Sequence, residues 1–251
     1  MTFRTLAHLR EPLAPGNGAV AVLPLGAMET HGPHLPLGTD GLIAEGIIEQ
    51  AARGFTDGEV YRLPLLWLGA SAEHAHRAGT ISREPEGLIG DIVSVGEGLH
   101  RLNIRRVVLF NGHGGNVAAA SIAALKLRTR FGLLAASAHW LDFGLPAGIT
   151  VPTPATGDVH GGWIETSVML HLAPELVDRA VAKDQPARTP APLLFPTGPI
   201  AWGWTSDDLG GSAIGHPEKA EARLGAALVG HAAQGLRTLL AQLAAASWPQ
   251  S

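Results

Sequence analysis

One loop of the sequence, residues 26–40, carries a glutamate, a histidine and an aspartate at a spacing that could bind a metal ion. Glu29 and His31 are separated by one residue, and alternate side chains of an extended segment point to the same side. Asp40 ends the loop where a helical pattern begins, so a helix N-cap is the alternative interpretation of this residue. The chain has no cysteine, and carboxylate and imidazole ligands suit Zn, Mn or Fe. The loop therefore predicts a metal site.

Two later segments add side chains of the same kinds. His113 lies in the glycine-rich run 111–116, directly after a predicted strand. Glycine-rich turns before helices also bind phosphate, but the GxGxxG pattern is absent, so a ligand role for His113 is favoured. His160 precedes a predicted helix, and Glu165 lies in the first two turns of that helix, where a surface or capping role is the alternative. His160 and Glu165 are therefore candidates for catalysis or metal binding.

Other residues near these candidates could contact a substrate. Ser71 and His74 lie in the polar loop 69–80, and His74 is expected in the wall of the site. Gly114 and Gly115 follow His113, and glycines let the backbone approach a substrate or a metal ion closely. A serine hydrolase is not indicated, because the sequence has no GxSxG motif.

The elements that must position these residues alternate along the chain. Apolar runs predict four strands, at residues 18–25, 60–68, 104–110 and 131–138. Each of these strands leads into a loop that contains a histidine. Helical patterns follow at 42–51, 85–102 and 117–130, with further helices at 164–172 and 217–247. This alternation predicts an α/β fold with a mostly parallel sheet covered by helices on both faces. Sites in such sheets lie beyond the carboxyl ends of the strands, where the predicted loops would meet.

Composition limits the classes of function. The 251 residues suit one domain spanning 1–251, and the 46% hydrophobic content is ample for a buried core. The net charge of -4 and the short Lys/Arg clusters indicate no nucleic-acid surface. No apolar segment follows Met1–Arg4 as in a signal peptide, and no run is long enough for a membrane span, so we expect a cytoplasmic protein. Only 16% of residues are charged, which is compatible with buried contacts between subunits.

Four motifs together resemble those of the creatininase (creatinine amidohydrolase) family, from about Leu23 to the C-terminal helix. They are Gly26-Ala-Met-Glu-Thr-His-Gly-Pro-His-Leu-Pro-Leu-Gly-Thr-Asp40, Gly79-Thr-Ile-Ser82, Asn111-Gly-His-Gly-Gly-Asn116 and Glu165-Thr-Ser167. The resemblance implies a three-layer α/β/α sandwich, a dinuclear metal centre and hydrolysis of a peptide or non-peptide C–N amide bond. It also implies a homohexamer and a small-molecule or short-peptide amide as substrate.

The resemblance also implies a role for each matching residue. Glu29 and His113 would bind one divalent ion, His31 the other, and Asp40 would bridge both. A water between the two ions would be activated as hydroxide and attack the substrate carbonyl. His160 or Glu165 would then protonate the leaving nitrogen.

The sequence departs from the creatinine-hydrolysing branch at three places. A ligand glutamate is expected where Gly115 stands, a tryptophan is expected within residues 151–159, and an aspartate is expected where His216 stands. The first two differences argue against creatinine as the substrate. The two glycines after His113 look more like two other branches, a formamide hydrolase of flavin and deazaflavin synthesis and the peptidase that trims the mycofactocin precursor peptide. Glu165 is an alternative source of the missing carboxylate, and a non-catalytic binding or scaffold protein with a degraded site is the rival hypothesis.

Overall fold

A five-stranded parallel sheet forms the centre of the computed structural model, which describes residues 3–6, 9–53, 55, 59–152, 157–188, 190–191, 193–197 and 200–247. All neighbouring strands are parallel, and the strand order is β1-β3-β2-β4-β5. The strands are β1 (Phe3–Thr5), β2 (Val20–Leu25), β3 (Val60–Arg62), β4 (Arg106–Asn111) and β5 (Leu134–His139).

Helices cover both faces of the sheet, which confirms the three-layer α/β/α arrangement. Buried residues of α1, α4 and α6 pack on one face, and those of α2 and α3 pack on the other. Central strand β2 supplies both layers, because Val20 and Val22 face the first set of helices while Ala21 and Leu23 face the second. The helices are α1 (Thr39–Ala52), α2 (Pro85–Arg101), α3 (Val117–Phe131), α4 (Trp163–Leu172), α5 (Ser206–Leu209) and α6 (Ala222–Ala245).

The second predicted strand is shorter than expected. The 60–68 run forms β3 only as far as Arg62, and Pro64 follows, which has no backbone N–H to continue the ladder. The segment nevertheless stays beside β2, because Leu66 forms a single parallel bridge with Leu25. The loop after it is therefore still delivered to the carboxyl end of β2.

Three other element boundaries differ from the prediction. The lead-in segment 1–17 contributes β1, whose three residues pair with β3. Phe131 ends α3 instead of starting β5, because Gly132 has φ 69° and closes the helix in the left-handed conformation. The last helix begins at Ala222, since residues 217–219 form a separate 3₁₀ turn.

The chain order places the loops of β2 and β4 side by side. The connection from β2 leads to β3 on one side, and the next connection returns past β2 to β4 on the other side. Such a reversal leaves a crevice at the carboxyl ends of the strands. Leu25 pairs with Asn111 there, and the Gly112 N–H donates to the Leu25 carbonyl at 2.8 Å. No helix in the described part of the chain is long and apolar enough to cross a membrane.

Candidate metal centre

The crevice brings together acidic and imidazole side chains from three parts of the fold. Glu29 and His31 come from the loop after β2, Asp40 is the second residue of α1, and His113 joins β4 to α3. All four side chains are at most 4% exposed, which is unusual for ionisable groups unless they are paired or bind a cation. The helix-cap alternative for Asp40 is wrong, because Gly38 is the N-cap residue of α1.

Asp40 lies between the two histidines. Its Oδ1 is 3.2 Å from Nε2 of His31, and its Oδ2 is 3.3 Å from Nδ1 of His113. The two oxygens of one carboxylate therefore face two separate imidazoles. This placement is compatible with the predicted bridging role of Asp40.

Glu29 faces the same space. Its Oε1 is 3.2 Å from Nδ1 of His113, 3.6 Å from Nδ1 of His160 and 3.8 Å from Nε2 of His31. Both carboxylate oxygens of Glu29, and Oδ2 of Asp40, are buried and accept no hydrogen bond from the residues that the structure describes. Buried carboxylate oxygens are costly to leave unsatisfied, and a bound cation would satisfy them. The donor set of Glu29, His31, Asp40 and His113 thus fits Zn, Mn or Fe.

Backbone carbonyls orient both histidine rings. Nδ1 of His31 lies 3.2 Å from the Glu29 carbonyl, and Nε2 of His113 lies 3.0 Å from the Ala70 carbonyl. An N–H that donates to a carbonyl leaves the other ring nitrogen as the ligand atom. The free atoms are therefore Nε2 of His31 and Nδ1 of His113, the same two atoms that face Asp40.

The charges in this cluster depend on each other. Burial raises the pKa of Glu29, but the charge and hydrogen bond of His113, together with His160, hold that pKa at about 2. Burial likewise opposes ionisation of Asp40, yet His31 and His113 keep its pKa well below the usual range. Burial lowers the pKa of His31, but Asp40, Glu165 and Glu29 together raise the pKa to about 10. The two carboxylates thus remain charged only beside positive charge, which protonated imidazoles or divalent cations can supply.

His160 lies beside the cluster, as the sequence predicted. Its Nε2–H donates to the Thr30 carbonyl at 2.5 Å, so that Nδ1 points toward Oε1 of Glu29 at 3.6 Å. The His160 ring also stacks on the His74 ring, with the centroids 4.0 Å apart. Burial lowers the pKa of His160 well below its ordinary value, and His31 and His74 add to this effect. His160 is therefore a neutral imidazole with a free Nδ1 facing the site.

Glu165 reaches the cluster from the first turn of α4. Its Oε2 accepts the Gly161 N–H at 2.5 Å and lies 4.0 Å from Nε2 of His31. Burial raises the pKa of Glu165 to about 7, against the lowering effect of His31. The side chain is only 17% exposed, which contradicts the surface interpretation, whereas the bond to the Gly161 N–H just before α4 fits the capping alternative.

A cavity of about 530 Å³ opens onto this cluster. His74, Gly114 and Gly115, which are predicted to contact the substrate, line it. Ser71 is fully buried behind His113, with its Oγ 3.3 Å from Nε2 of that ring. Ser71 is not among the residues that line the cavity, so its contact with substrate stays a prediction.

Sequence reasoning missed the far wall of the cavity. Trp202 and Trp204 line it, although segment 184–216 carried no motif and was predicted only to be irregular. The His74 ring meets the Trp204 ring edge-on at 5.8 Å. Two tryptophans in a segment rich in Pro and Gly were the only available signal.

Two polar side chains that position the site were also missed. Asn116 donates to the Gly26 carbonyl at 2.9 Å and accepts the Ala70 N–H at 2.8 Å, so it ties two site loops to the start of α3. Asp158 accepts the backbone N–H groups of Trp163 and Ile164 at 2.8 and 2.9 Å, which caps α4 from outside the helix. His216 stands where the family resemblance leads us to expect an aspartate, and its Nδ1 lies 2.9 Å from Oδ2 of Asp184.

Comparison with known sequences identifies related proteins. Residues 8–240 match the profile of the creatininase family, described as creatinine amidohydrolase. The mycofactocin precursor peptide peptidase of Mycobacterium tuberculosis is 38% identical over 190 residues, which are 73% of this chain and 70% of the relative. The creatinine amidohydrolase of Pseudomonas putida is 33% identical over 198 residues, covering 72% of this chain and 75% of the relative.

Solved structures of creatininases have the same fold. A creatinine amidohydrolase superposes with a TM-score of 0.68 at 27% identity, covering 93% of this chain and 92% of the other. A manganese form of creatininase gives a TM-score of 0.67 at 26% identity, with 88% and 90% of the two chains covered. A variant creatininase of the Zn–Zn type gives 0.66 at 27% identity, with 88% and 89% covered.

Proposed function

This chain belongs to the creatininase family of amide-bond hydrolases, and we propose that it is a metal-dependent amidohydrolase with two divalent ions at the crevice. The observation that carries the proposal is the Asp40 carboxylate, whose two oxygens face the free nitrogens of His31 and His113. Glu29 and His113 would hold one ion and His31 the other, with Asp40 shared. Zn, Mn and Fe suit these ligands, and creatininase structures of Mn and Zn–Zn types support this choice.

The residues around the ions have separate roles. Two bound divalent cations would lower the pKa of a water molecule and polarise the amide carbonyl. His160 would take up a proton at Nδ1, its free nitrogen, and deliver it to the leaving nitrogen of the amide, a contribution of roughly 10²–10⁴-fold in rate. Glu165 is the second candidate for proton transfer. His74, Gly114 and Gly115 would contact the substrate, and Ser71 would hold the His113 ring.

A short peptide is the substrate class that the site supports best. The cavity extends from the acidic cluster to Trp202 and Trp204, which offers apolar surface beyond the reacting bond. The relative with 38% identity is a precursor peptide peptidase, whereas the creatinine amidohydrolase is 33% identical. Gly115 and the lack of tryptophan in residues 151–159 also argue against creatinine. A formamide remains the alternative small substrate.

The remaining properties follow from composition and from family resemblance. We propose a cytoplasmic protein in which residues 1–251 form one domain, with no nucleic-acid or membrane partner. A homohexamer is supported by the low fraction of charged residues and by the exposed apolar side chains of Trp67, Leu68 and Ile81. A non-catalytic scaffold is disfavoured, because burying carboxylate oxygens without hydrogen bonds costs stability, and bound cations would offset this cost.

Metal analysis combined with one substitution tests the proposal. Protein purified without chelator should contain about two divalent ions per chain and should hydrolyse at least one member of a panel of short peptides, formamides and cyclic amides. Asp40→Ala and the isosteric Asp40→Asn should lose both ions, because Asp40 faces both histidines. Activity should fall by about 10³-fold or more, since both ions act on the same reaction centre.

Asp91→Asn provides the control, because Asp91 lies on the exposed surface of α2, where it pairs with Arg83. This variant should keep both ions and full activity. Wild-type protein that binds no Zn, Mn or Fe would refute the proposal. Full metal occupancy in folded Asp40→Asn would refute the bridging role.

A further inference from the structure

The two metal positions of the proposed centre have different numbers of nearby ligand atoms. Nδ1 of His113 has carboxylate oxygens of Glu29 and Asp40 at 3.2 and 3.3 Å, which makes a set of three ligand atoms. Nε2 of His31 has Oδ1 of Asp40 at 3.2 Å, and the next carboxylate atom, Oε1 of Glu29 at 3.8 Å, is already assigned to the other position. Protein sites for metals such as Zn have three or four protein ligands. The position beside His31 therefore needs a further carboxylate.

Position 115 is unable to supply that carboxylate while the loop is packed as it is in this chain. A Cβ atom at Gly115 would overlap the Ala70 carbonyl oxygen and would lie 2.5 Å from Nε2 of His113 and 2.7 Å from Oε1 of Glu73. Real Cβ atoms essentially never approach other heavy atoms this closely. Moving the carbonyl aside would be costly, because it is part of the backbone and bonds to the His113 ring. Gly115 is thus a steric requirement of the loop.

We propose that Glu165 supplies the missing carboxylate and binds the second metal ion together with His31 and Asp40. This inference rests on the proposed function. Oε2 of Glu165 lies 4.0 Å from Nε2 of His31, and two atoms bound to one ion at about 2.0–2.2 Å are separated by at most about 4.3 Å. Oε2 of Glu165 and Nε2 of His31 are therefore close enough to share one ion after a small adjustment of the side chains.

The surroundings of Glu165 hold it there. The Gly161 N–H donates to Oε2 at 2.5 Å, which leaves the carboxylate directed at the crevice. The next residue, Thr166, bonds through Oγ1 to Nε2 of His34 at 3.0 Å, so α4 is tied to the loop that carries His31. Ligand atoms of His31, His160 and Glu165 all lie within 4.8 Å of one another. With Glu165 as a ligand, proton transfer is left to His160.

Glu73 is the other carboxylate near the site, and its position makes it a matched control. Its Oε1 is 3.5 Å from Nε2 of His113, the nitrogen that bonds to the Ala70 carbonyl. Nδ1 of His113, on the opposite edge of the ring, faces Glu29 and Asp40. Oε1 of Glu73 therefore faces the edge of the ring that already bonds to the Ala70 carbonyl. Glu73 also lines the cavity, and its ligand atom lies within 4.8 Å of those of Glu29 and His113, so Glu73 is the competing candidate that the experiment must test.

The experiment counts metal ions and does not depend on activity. Wild-type protein, Glu165→Gln and Glu73→Gln are stripped with chelator and titrated with Mn²⁺ by calorimetry, with electron paramagnetic resonance to detect magnetic coupling between two bound ions. Wild type and Glu73→Gln should bind two ions and show a coupled spectrum. Glu165→Gln should keep one ion, bind the second about 100-fold more weakly or worse, and show an uncoupled spectrum.

Two further variants keep the test decisive. Glu165→Asp retains a carboxylate one methylene further away and should give an intermediate affinity for the second ion, which also covers the case in which Glu165→Gln fails to fold. Adding Gly115→Glu to Glu165→Gln should not restore the second ion, because the Ala70 carbonyl excludes a side chain there.

The outcomes separate the two proposals. Wild-type protein that binds fewer than two ions would refute the proposed function itself. If wild type binds two ions and folded Glu165→Gln or Glu165→Asp binds both with unchanged affinity, the proposed function stands and the assignment of Glu165 is wrong. Loss of the second ion in Glu73→Gln instead would transfer the ligand role to Glu73 and also overturn it.

Discussion

The two carboxylate oxygens of Asp40 face the two proposed metal positions. Its two oxygens lie within 3.3 Å of imidazole nitrogens from different elements, and Oδ2 accepts no hydrogen bond from the described residues. His31 and His113 each have one ring nitrogen engaged by a backbone carbonyl, which aims the other nitrogen at Asp40. The orientation of both rings toward Asp40 is therefore set by hydrogen bonds that do not need a bound ligand.

Gly115 and Gly114 allow the steric argument to be tested by two neighbouring substitutions. Gly115→Ala places a Cβ against the Ala70 carbonyl and the His113 ring, whereas a Cβ at Gly114 meets no atom within 4 Å. We expect Gly115→Ala to lower the free energy of unfolding by about 1–3 kcal/mol, as overpacking typically does, and Gly114→Ala to change it by less than about 0.5 kcal/mol. Urea unfolding of metal-free protein measures both, and equal values for the two variants would contradict the close packing described here.

At the level of elements, the site depends on bonds between segments that are remote in the chain. Asn116 joins the end of β2, the loop after β3 and Asn111 at the end of β4 through three hydrogen bonds. Asp158 caps α4, which carries Glu165, and His34 bonds to Thr166 of the same helix. These contacts hold the strand-end loops and α4 at fixed positions around the crevice.

Asn116→Ala should therefore destabilise the protein more than an ordinary surface substitution. It leaves the Gly26 carbonyl and the Ala70 N–H buried without partners, and each such loss costs about 1–3 kcal/mol. We expect the free energy of unfolding to fall by about 3 kcal/mol, with faster amide exchange at Ala70. Ser121→Ala, on the exposed side of the same helix, should change it by less than about 0.5 kcal/mol. Similar values for the two variants would show that Asn116 does not join the loops.

At the level of the whole molecule, metal binding and folding should be linked. Binding at 100 times the dissociation constant stabilises the native state by about 2.7 kcal/mol, which corresponds to a rise in Tm of about 5–10 °C for a chain of this size. We expect Mn²⁺ or Zn²⁺ added to chelator-stripped protein to raise Tm by this amount in differential scanning fluorimetry. Asp40→Asn should show no such rise, and an equal rise in both proteins would place the stabilising ion elsewhere.

The order of elements was largely predictable from the chain. Apolar runs followed by helical patterns indicated a parallel sheet covered on both faces, and the five-stranded sheet with its two helical layers confirms this. The edge strand β1 was not predicted, because a three-residue strand has too few residues for a period-two pattern. β3 ends early because Pro64 has no backbone N–H to donate to a neighbouring strand. The sequence alone does not show whether a neighbouring strand needs a donor at that position.

The types of residue and their places at strand ends were determined by the sequence alone. Glu29, His31, Asp40 and His113 were predicted to meet because parallel strands end at the same edge of the sheet. Only the tertiary structure decided which atoms face each other, that Ser71 lies behind His113, and that Trp202 and Trp204 close the cavity. It also decided that a side chain at Gly115 is excluded while Glu165 reaches His31. The physical reason is that local patterns specify which face of an element is buried, whereas distances of 3–4 Å between remote side chains arise from the packing of whole elements.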